Sequence, residues 1–205
     1  LTKTNIQAVI WDMGGVIVRT EDWGPRERWE AQLGLPKLGL TRLVFEGEMG
    51  AKAALGQAKN EDVWRWVGKE LDLSEDELSR LQEDFWHGDQ VDYDLVDFIH
   101  SLRRQVKTGM ITNAWPEVRG WLENEWGIAD AFDVIVTSAE EQIIKPDPEI
   151  YHMALNRLGV EPSEAIFIDD FKRNIAGARS VGMHAILFQS PTQIRKDLVE
   201  RLPTR

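Results

Sequence analysis

Five short apolar runs, each about the length of a buried parallel strand and set between stretches of helical period, constrain this chain most. They cover residues 7–11, 108–112, 134–137, 165–168 and 184–188. Leu95, Ile99 and Leu102 fall on one helical face, and so do Ile150, Ala154 and Leu158. Asp147 caps the second of these helices, Pro148 opens its first turn, and Gly159 closes it. This alternation predicts right-handed βαβ units around an open parallel sheet.

One stretch breaks the rhythm. Between about Val18 and Val91 no strand is expected, and helix signatures take over. Asn60 precedes Val63, Val67 and Leu71; Ser74 and Glu77 form a capping box ahead of Leu78, Leu81 and Phe85. The fold class expected is therefore α/β: a Rossmann-like parallel five-stranded sheet core with a small helical cap inserted after the first strand. The boundaries predicted are 1–17 and 92–205 for the core and 18–91 for the cap. Ligands of open α/β sheets bind at the carboxyl ends of the strands, so such an insert would sit over the site.

Composition removes whole classes of function. With no cysteine in 205 residues, disulfides, thiolate catalysis and cysteine-ligated zinc are excluded. The 24 Lys and Arg against 35 Asp and Glu leave a formal charge of −11, which disfavours nucleic acid and anionic membrane as partners. No apolar run reaches the length of a membrane span and no signal-peptide pattern opens the chain, so a cytoplasmic protein is expected. His87, His100, His152 and His184 show no ligand spacing. Five of nine tryptophans (Trp23, Trp29, Trp64, Trp66 and Trp86) lie in the insert, where they can fill a small core. Trp23 is a candidate for lining a pocket and Trp115 for the seam between cap and core.

The strand ends carry the chemistry. The first run leads into Asp12-Met13-Gly14-Gly15, the second ends in Thr112-Asn113, Lys145 follows the third, and the fourth leads into Asp169-Asp170. On one sheet these bring three carboxylates, a hydroxyl and a lysine to one edge. Two or three carboxylates can hold Mg²⁺, which typically keeps waters and substrate phosphate as its other ligands. A lysine and a metal neutralise charge on transferring phosphoryl oxygens, and a free carboxylate can attack to form an acyl phosphate. Taken singly, each signal has a plainer structural reading: Asp12-Gly14-Gly15 as a turn, Asp169-Asp170 as a helix cap, Lys145 as a surface charge.

Together and in this order they resemble the four motifs of the haloacid dehalogenase (HAD) superfamily, and the insert resembles its C1-type cap. The likeness runs from Ile6 to about Phe188. Residues 169–183 are similar to the branch containing the phosphatase half of soluble epoxide hydrolases and bacterial sugar-phosphate phosphatases. The resemblance implies Asp12 as nucleophile, with Thr112 and Lys145 completing the catalytic set. Thr112, Asn113 and Lys145 would bind substrate phosphate. Asp12, the Gly14 carbonyl, Asp169 and Asp170 would hold Mg²⁺, and Asn174 would order the loop. It implies a phosphohydrolase for a small phosphorylated metabolite such as a sugar phosphate, working as a monomer or homodimer.

The pattern departs from the family in one place. Typical members carry an acid–base Asp two residues after the nucleophile, where this chain has Gly14. Three readings follow. Glu21 or Asp22 supplies the proton, the substrate has a good leaving group, or the protein binds Mg²⁺ and phosphate in a regulatory or scaffolding role with little turnover. The paired acids of the fourth motif argue against metal-free dehalogenation. None of Lys37, Lys52, Lys59 and Lys69 has the context of a Schiff-base lysine. A two-component receiver would put its acidic pair at the first strand, which is the wrong order here.

Overall fold

The computed structural model describes residues 5–202. Its strands are β1 (Ala8–Trp11), β2 (Val18–Thr20), β3 (Asp89–Val91), β4 (Lys107–Thr112), β5 (Val134–Thr137), β6 (Ala165–Asp169) and β7 (His184–Leu187). Five of them form one parallel sheet in the order β5-β4-β1-β6-β7. These are the five runs read from sequence, displaced by a residue or so at their ends. Strand β1 is central, and the chain passes from β4 and β5 on one side of it to β6 and β7 on the other. That reversal opens a crevice at the carboxyl end of β1.

Both faces of the sheet are covered, which is why its strands read as continuous apolar runs rather than alternating ones. The helices of the core are α6 (Tyr93–Leu102), the single turn α7 (Val118–Gly120) with a π-helical turn behind it (Trp121–Glu125), α8 (Ser138–Glu141), α9 (Pro148–Leu158), α10 (Lys172–Ser180) and α11 (Pro191–Arg201). Val9 and Trp11 of β1 pack with Leu95 and Ile99 of α6 and with Ile194 and Leu198 of α11. Ala8 and Ile10 point the other way, against Ile150 and Ala154 of α9 and Ala178 of α10. Each such aliphatic residue contributes roughly 1.5–3 kcal/mol by leaving water.

Between β2 and β3 lie five helices: α1 (Gly24–Gln32), α2 (Gly39–Glu46), α3 (Glu48–Ala54), α4 (Asn60–Glu70) and α5 (Glu75–His87). Ser74 caps α5 through the expected box, its Oγ accepting from the Glu77 N–H while the Glu77 carboxylate accepts from the Ser74 N–H at 2.9 Å. The strands β2 and β3 themselves correct the expectation of a strand-free insert, for they pair antiparallel where cap meets core. At three residues each, with sequences Val-Arg-Thr and Asp-Gln-Val, they are too short and too polar to show a period. Side chains hold the ribbon as much as backbone does. Thr20 donates to Asp89 at 2.5 Å, and Arg26, 3% exposed, donates twice to Asp89 at 2.8 Å.

The cap has its own core of Trp29, Leu40, Val44, Val63, Trp64, Val67, Leu81 and Phe85. One further member, Trp115, comes from the loop after β4. The aromatic contacts continue across the seam, Trp86 lying 6.0 Å from Trp115 and 6.2 Å from Trp121 between ring centroids. Trp115 is thus at the cap–core interface, as its position in the sequence suggests. Trp23 is 38% exposed with the Arg26 guanidinium 5.4 Å from its ring.

Candidate active site

The turn after β1 is fixed by the backbone before any side chain acts. The Asp12 N–H donates to the Ile168 carbonyl of β6 at 2.8 Å, and the Ile17 and Val18 N–H groups both donate to the Met13 carbonyl. Gly15 takes a φ of +77°, and a Cβ there would lie 2.3 Å from Oδ2 of Asp170. Only glycine lets the turn approach that carboxylate. Gly14, whose carbonyl belongs to the same turn, is unlike it: a Cβ added there meets nothing within 4 Å.

Four of the charged residues singled out in the sequence are brought together at this edge. The Lys145 ammonium lies 2.7 Å from Asp12 Oδ1 and 2.8 Å from Asp169 Oδ2, and is 2% exposed. Asp12 is 6% exposed and Asp169 is fully buried. Asp12, Asp169 and Asp170 each offer an oxygen within 4.8 Å of the others. Three carboxylates therefore face one ammonium in a place with little water. Burial pushes the Asp12 carboxyl up to about 8, Lys145 opposing the rise and Asp169 adding to it. Burial and the neighbouring Asp169 likewise raise Asp170 to about 6. The cluster holds more negative charge than its one lysine balances. Asp170 Oδ1 is moreover buried without a hydrogen-bond partner. An orphaned carboxylate oxygen beside two more carboxylates is the donor set of a hard divalent cation, and Asp12, Asp169 and Asp170 fit Mg²⁺ on that ground.

Thr112 ends β4, 1% exposed. Asn113 beside it spends its side chain on the loop after β5: Nδ2 donates to the Lys145 carbonyl at 3.0 Å and Oδ1 accepts from the Lys145 N–H at 2.8 Å. This amide clamps the backbone that carries Lys145. Asn174, 3% exposed, donates to both Asp169 oxygens at 3.1 and 3.0 Å. The Phe171 N–H donates to Asp169 Oδ1 at 2.7 Å. Glu21 lies 3.1 Å from Arg19, and Asp22 accepts from the Gly24 N–H at 2.8 Å.

Two supports went unread in the sequence. Fully buried Ser138, just past β5, accepts from the Ala114 N–H at 3.0 Å and donates to the Ala114 carbonyl at 3.3 Å, tying down the loop that begins at Thr112. Tyr151 of α9 donates to the Asn174 carbonyl at 2.9 Å, its own phenol pushed up by burial. The position of Ser138 directly after a strand was the one available signal. Nothing local marks Tyr151, which looks like any buried aromatic on a helix face.

A model of the haloacid dehalogenase-like hydrolases matches residues 6–182. A sesquiterpene phosphatase from Aspergillus oryzae is 29% identical over 185 residues, 88% of each chain. Pig bifunctional epoxide hydrolase 2 is 26% identical over 216 residues, 94% of this chain but 38% of that one. Some curated relatives are larger still: a 67-residue match, 48% identical and 33% of this chain, covers 6% of mouse acyl-CoA dehydrogenase family member 10. Among solved structures, a HAD family enzyme from Bacteroides thetaiotaomicron in complex with magnesium and inorganic phosphate superposes with a TM-score of 0.72. It is 18% identical, over 90% of this chain and 95% of that one.

Proposed function

Because the chain belongs to the haloacid dehalogenase-like hydrolase family, we propose that it is a Mg²⁺-dependent phosphatase acting on a small phosphorylated metabolite, with a sugar phosphate as the leading candidate. The observation that carries this reading is the buried cluster of Asp12, Asp169 and Asp170 around Lys145, with an unpartnered oxygen on Asp170. Names among the relatives support it, in a sesquiterpene phosphatase and in a complex with magnesium and phosphate.

In this reading Asp12, Asp169, Asp170 and the Gly14 carbonyl hold Mg²⁺, which when bound offsets charge on the phosphoryl oxygens. Lys145 and the Met13 N–H both donate to Oδ1 of Asp12, each at 2.7 Å, and so aim the carboxylate. Its other oxygen attacks phosphorus and forms an aspartyl phosphate that water then hydrolyses. Thr112 and Lys145 bind phosphoryl oxygens. Asn113 contributes by fixing the Lys145 backbone, and Asn174 by fixing Asp169. A cytoplasmic setting and a monomer or homodimer belong to the same proposal; no helix among the described residues is long and apolar enough to cross a membrane.

The test is turnover of an activated aryl phosphate and a panel of sugar phosphates, with Mg²⁺ and with chelator, beside Asp12→Asn. Metal-dependent hydrolysis that falls by about 10⁴-fold or more in the variant is expected. A folded protein that binds Mg²⁺ yet turns over no faster than Asp12→Asn would replace the phosphatase with a regulatory or scaffolding protein.

A further inference from the structure

We infer that this site acts on phosphate compounds whose leaving oxygen departs without a proton, such as an anomeric sugar oxygen, an enol, a phenol or a second phosphate, rather than an ordinary alcohol. The inference rests on the phosphatase reading of the same site and names its substrate class.

It follows from an accounting of the acids that the sheet presents at its carboxyl edge. A general acid must reach the ester oxygen opposite Asp12, so it must come from a loop leaving this edge or from the cap above. After β4 the loop before α7 has one acid, Glu117, whose Oε1 accepts from the Asn60 N–H of the cap at 3.0 Å and whose Oε2 is buried without a partner at the same seam. After β5 there are three. Glu140 pairs with Arg119, Glu141 with Arg157 at 2.6 Å, and Asp147 caps α9 through the Glu149 N–H at 2.9 Å. At the end of β6 stand Asp169 and Asp170, both in the carboxylate cluster. The loop after β7 has none, and no histidine lies in any of these loops.

The cap entrance offers no better. Glu21 is held by Arg19, and Asp22 folds back onto the Gly24 N–H of its own loop. Asp89 is taken by Thr20 and Arg26. Glu30, 5% exposed, accepts from the Leu38 and Leu40 N–H groups with its two oxygens at 3.1 and 3.2 Å. Meanwhile the position two residues past the nucleophile is open. Gly14 has a backbone conformation available to any residue, and a Cβ there would meet nothing. Space for an acid exists beside Asp12, and the sequence puts no side chain in it.

The consequence is chemical. As an Asp12 oxygen bonds to phosphorus, the phosphorus–oxygen ester bond breaks and its electron pair stays on the leaving oxygen. An alkoxide made this way is strongly basic, and a positioned acid typically speeds its departure by about 10²–10⁴-fold. Without that acid, only a weakly basic oxygen leaves readily, and it takes its proton from solvent afterwards. The second step has no such need. Water bonds to phosphorus, the bond to Asp12 breaks, the electron pair returns to a weakly basic carboxylate, and the water's proton passes to an oxygen of the phosphate released.

The experiment is a leaving-group series. kcat/KM is measured with Mg²⁺ for aryl phosphates of graded phenol acidity, for an alkyl phosphate, and for an aldose 1-phosphate against the 6-phosphate of the same sugar. The wild type should slow steeply as the leaving group becomes more basic, and should favour the 1-phosphate by about 10²-fold or more. Gly14→Asp should raise the alkyl rate relative to the aryl rate by at least tenfold, while Gly14→Asn, which fills the space with no proton, should not. Glu21→Gln and Asp22→Asn should leave the slope unchanged. A shallow slope in the wild type, or a steeper one in either of those two variants, would show an acid at work and overturn the inference, and the wild-type slope decides it even where Gly14→Asp fails to fold. A wild type that cannot hydrolyse the most activated aryl phosphate faster than Asp12→Asn would instead remove the phosphatase itself.

Discussion

The sheet edge and the cap seam both join residues far apart in sequence, and they do so by opposite means. At the edge, the Lys145 ammonium draws Asp12 and Asp169 to 2.7 and 2.8 Å from itself, and backbone and amide groups pin each in place. The seam is aromatic: Trp115 of the core sits inside the cap's own cluster, and Phe45, Trp86 and Trp121 extend the contact. Charges buried together are costly to assemble and sensitive to what binds them, whereas rings packed edge to face are stabilised by burial and by their mutual geometry. Each region is vulnerable in its own way. The edge should answer to protons and cations, and the seam to loss of volume.

The largest effect should therefore appear at the edge, in the metal-free protein, as pH is raised. Asp12 and Asp170 have folded-state values of about 8 and about 6, both above the ordinary 3.8. Between about pH 4 and pH 8 the native state holds protons that the unfolded chain has lost, so stability falls as pH rises. The larger part of the loss comes from Asp12, the more deeply buried of the two, since water partly screens Asp170. Added Mg²⁺ binds the ionised cluster, so its stabilisation should grow over the same interval. Thermal unfolding with and without Mg²⁺ at pH 5, 6.5 and 8 checks this. A midpoint flat in pH and indifferent to Mg²⁺ would erase the contrast drawn between edge and seam.

The same contrast accounts for what could be read from sequence. Buried parallel strands must be short apolar runs, and the residues where a run ends must stand at the edge, so Asp12, Thr112 and Asp169 follow from topology, while Lys145 comes from the longer loop after β5. Local capping was equally legible, in Ser74 with Glu77 and in Asp147 with Pro148. What failed to show was pairing between distant polar groups. Arg26 lies buried against Asp89, 63 residues on, and nothing in the sequence around it marks the pair. Asn60 reads as a helix cap, yet it is the first residue of α4, and its N–H is taken by Glu117 from the other side of the seam. The side-chain amide of Asn113 is engaged by the Lys145 backbone, 32 residues on. A side chain's partner fifty residues away leaves no period in the sequence.

At the seam the expected effects are smaller and of a different kind. Trp115→Ala removes a ring that is 4% exposed among cap side chains and should cost about 3–5 kcal/mol. Hydrogen exchange should quicken in α4 and α5 while the strands of the sheet stay protected. Uniform deprotection of the sheet would mean that edge and seam unfold as one.

Glu117→Ala should cost least. The carboxylate caps α4 across the seam and meets the positive end of that helix, a contact worth about 1 kcal/mol. Its other oxygen, however, is buried without a partner, as is the Asn60 Oδ1. Removing the carboxylate removes one of those two unmet acceptors along with the cap, and the two changes offset. A denaturation midpoint shifted by less than about 1 kcal/mol is expected, with the leaving-group slope unaltered. A loss comparable to that of Trp115→Ala would show the seam to be held by charge, as the edge is.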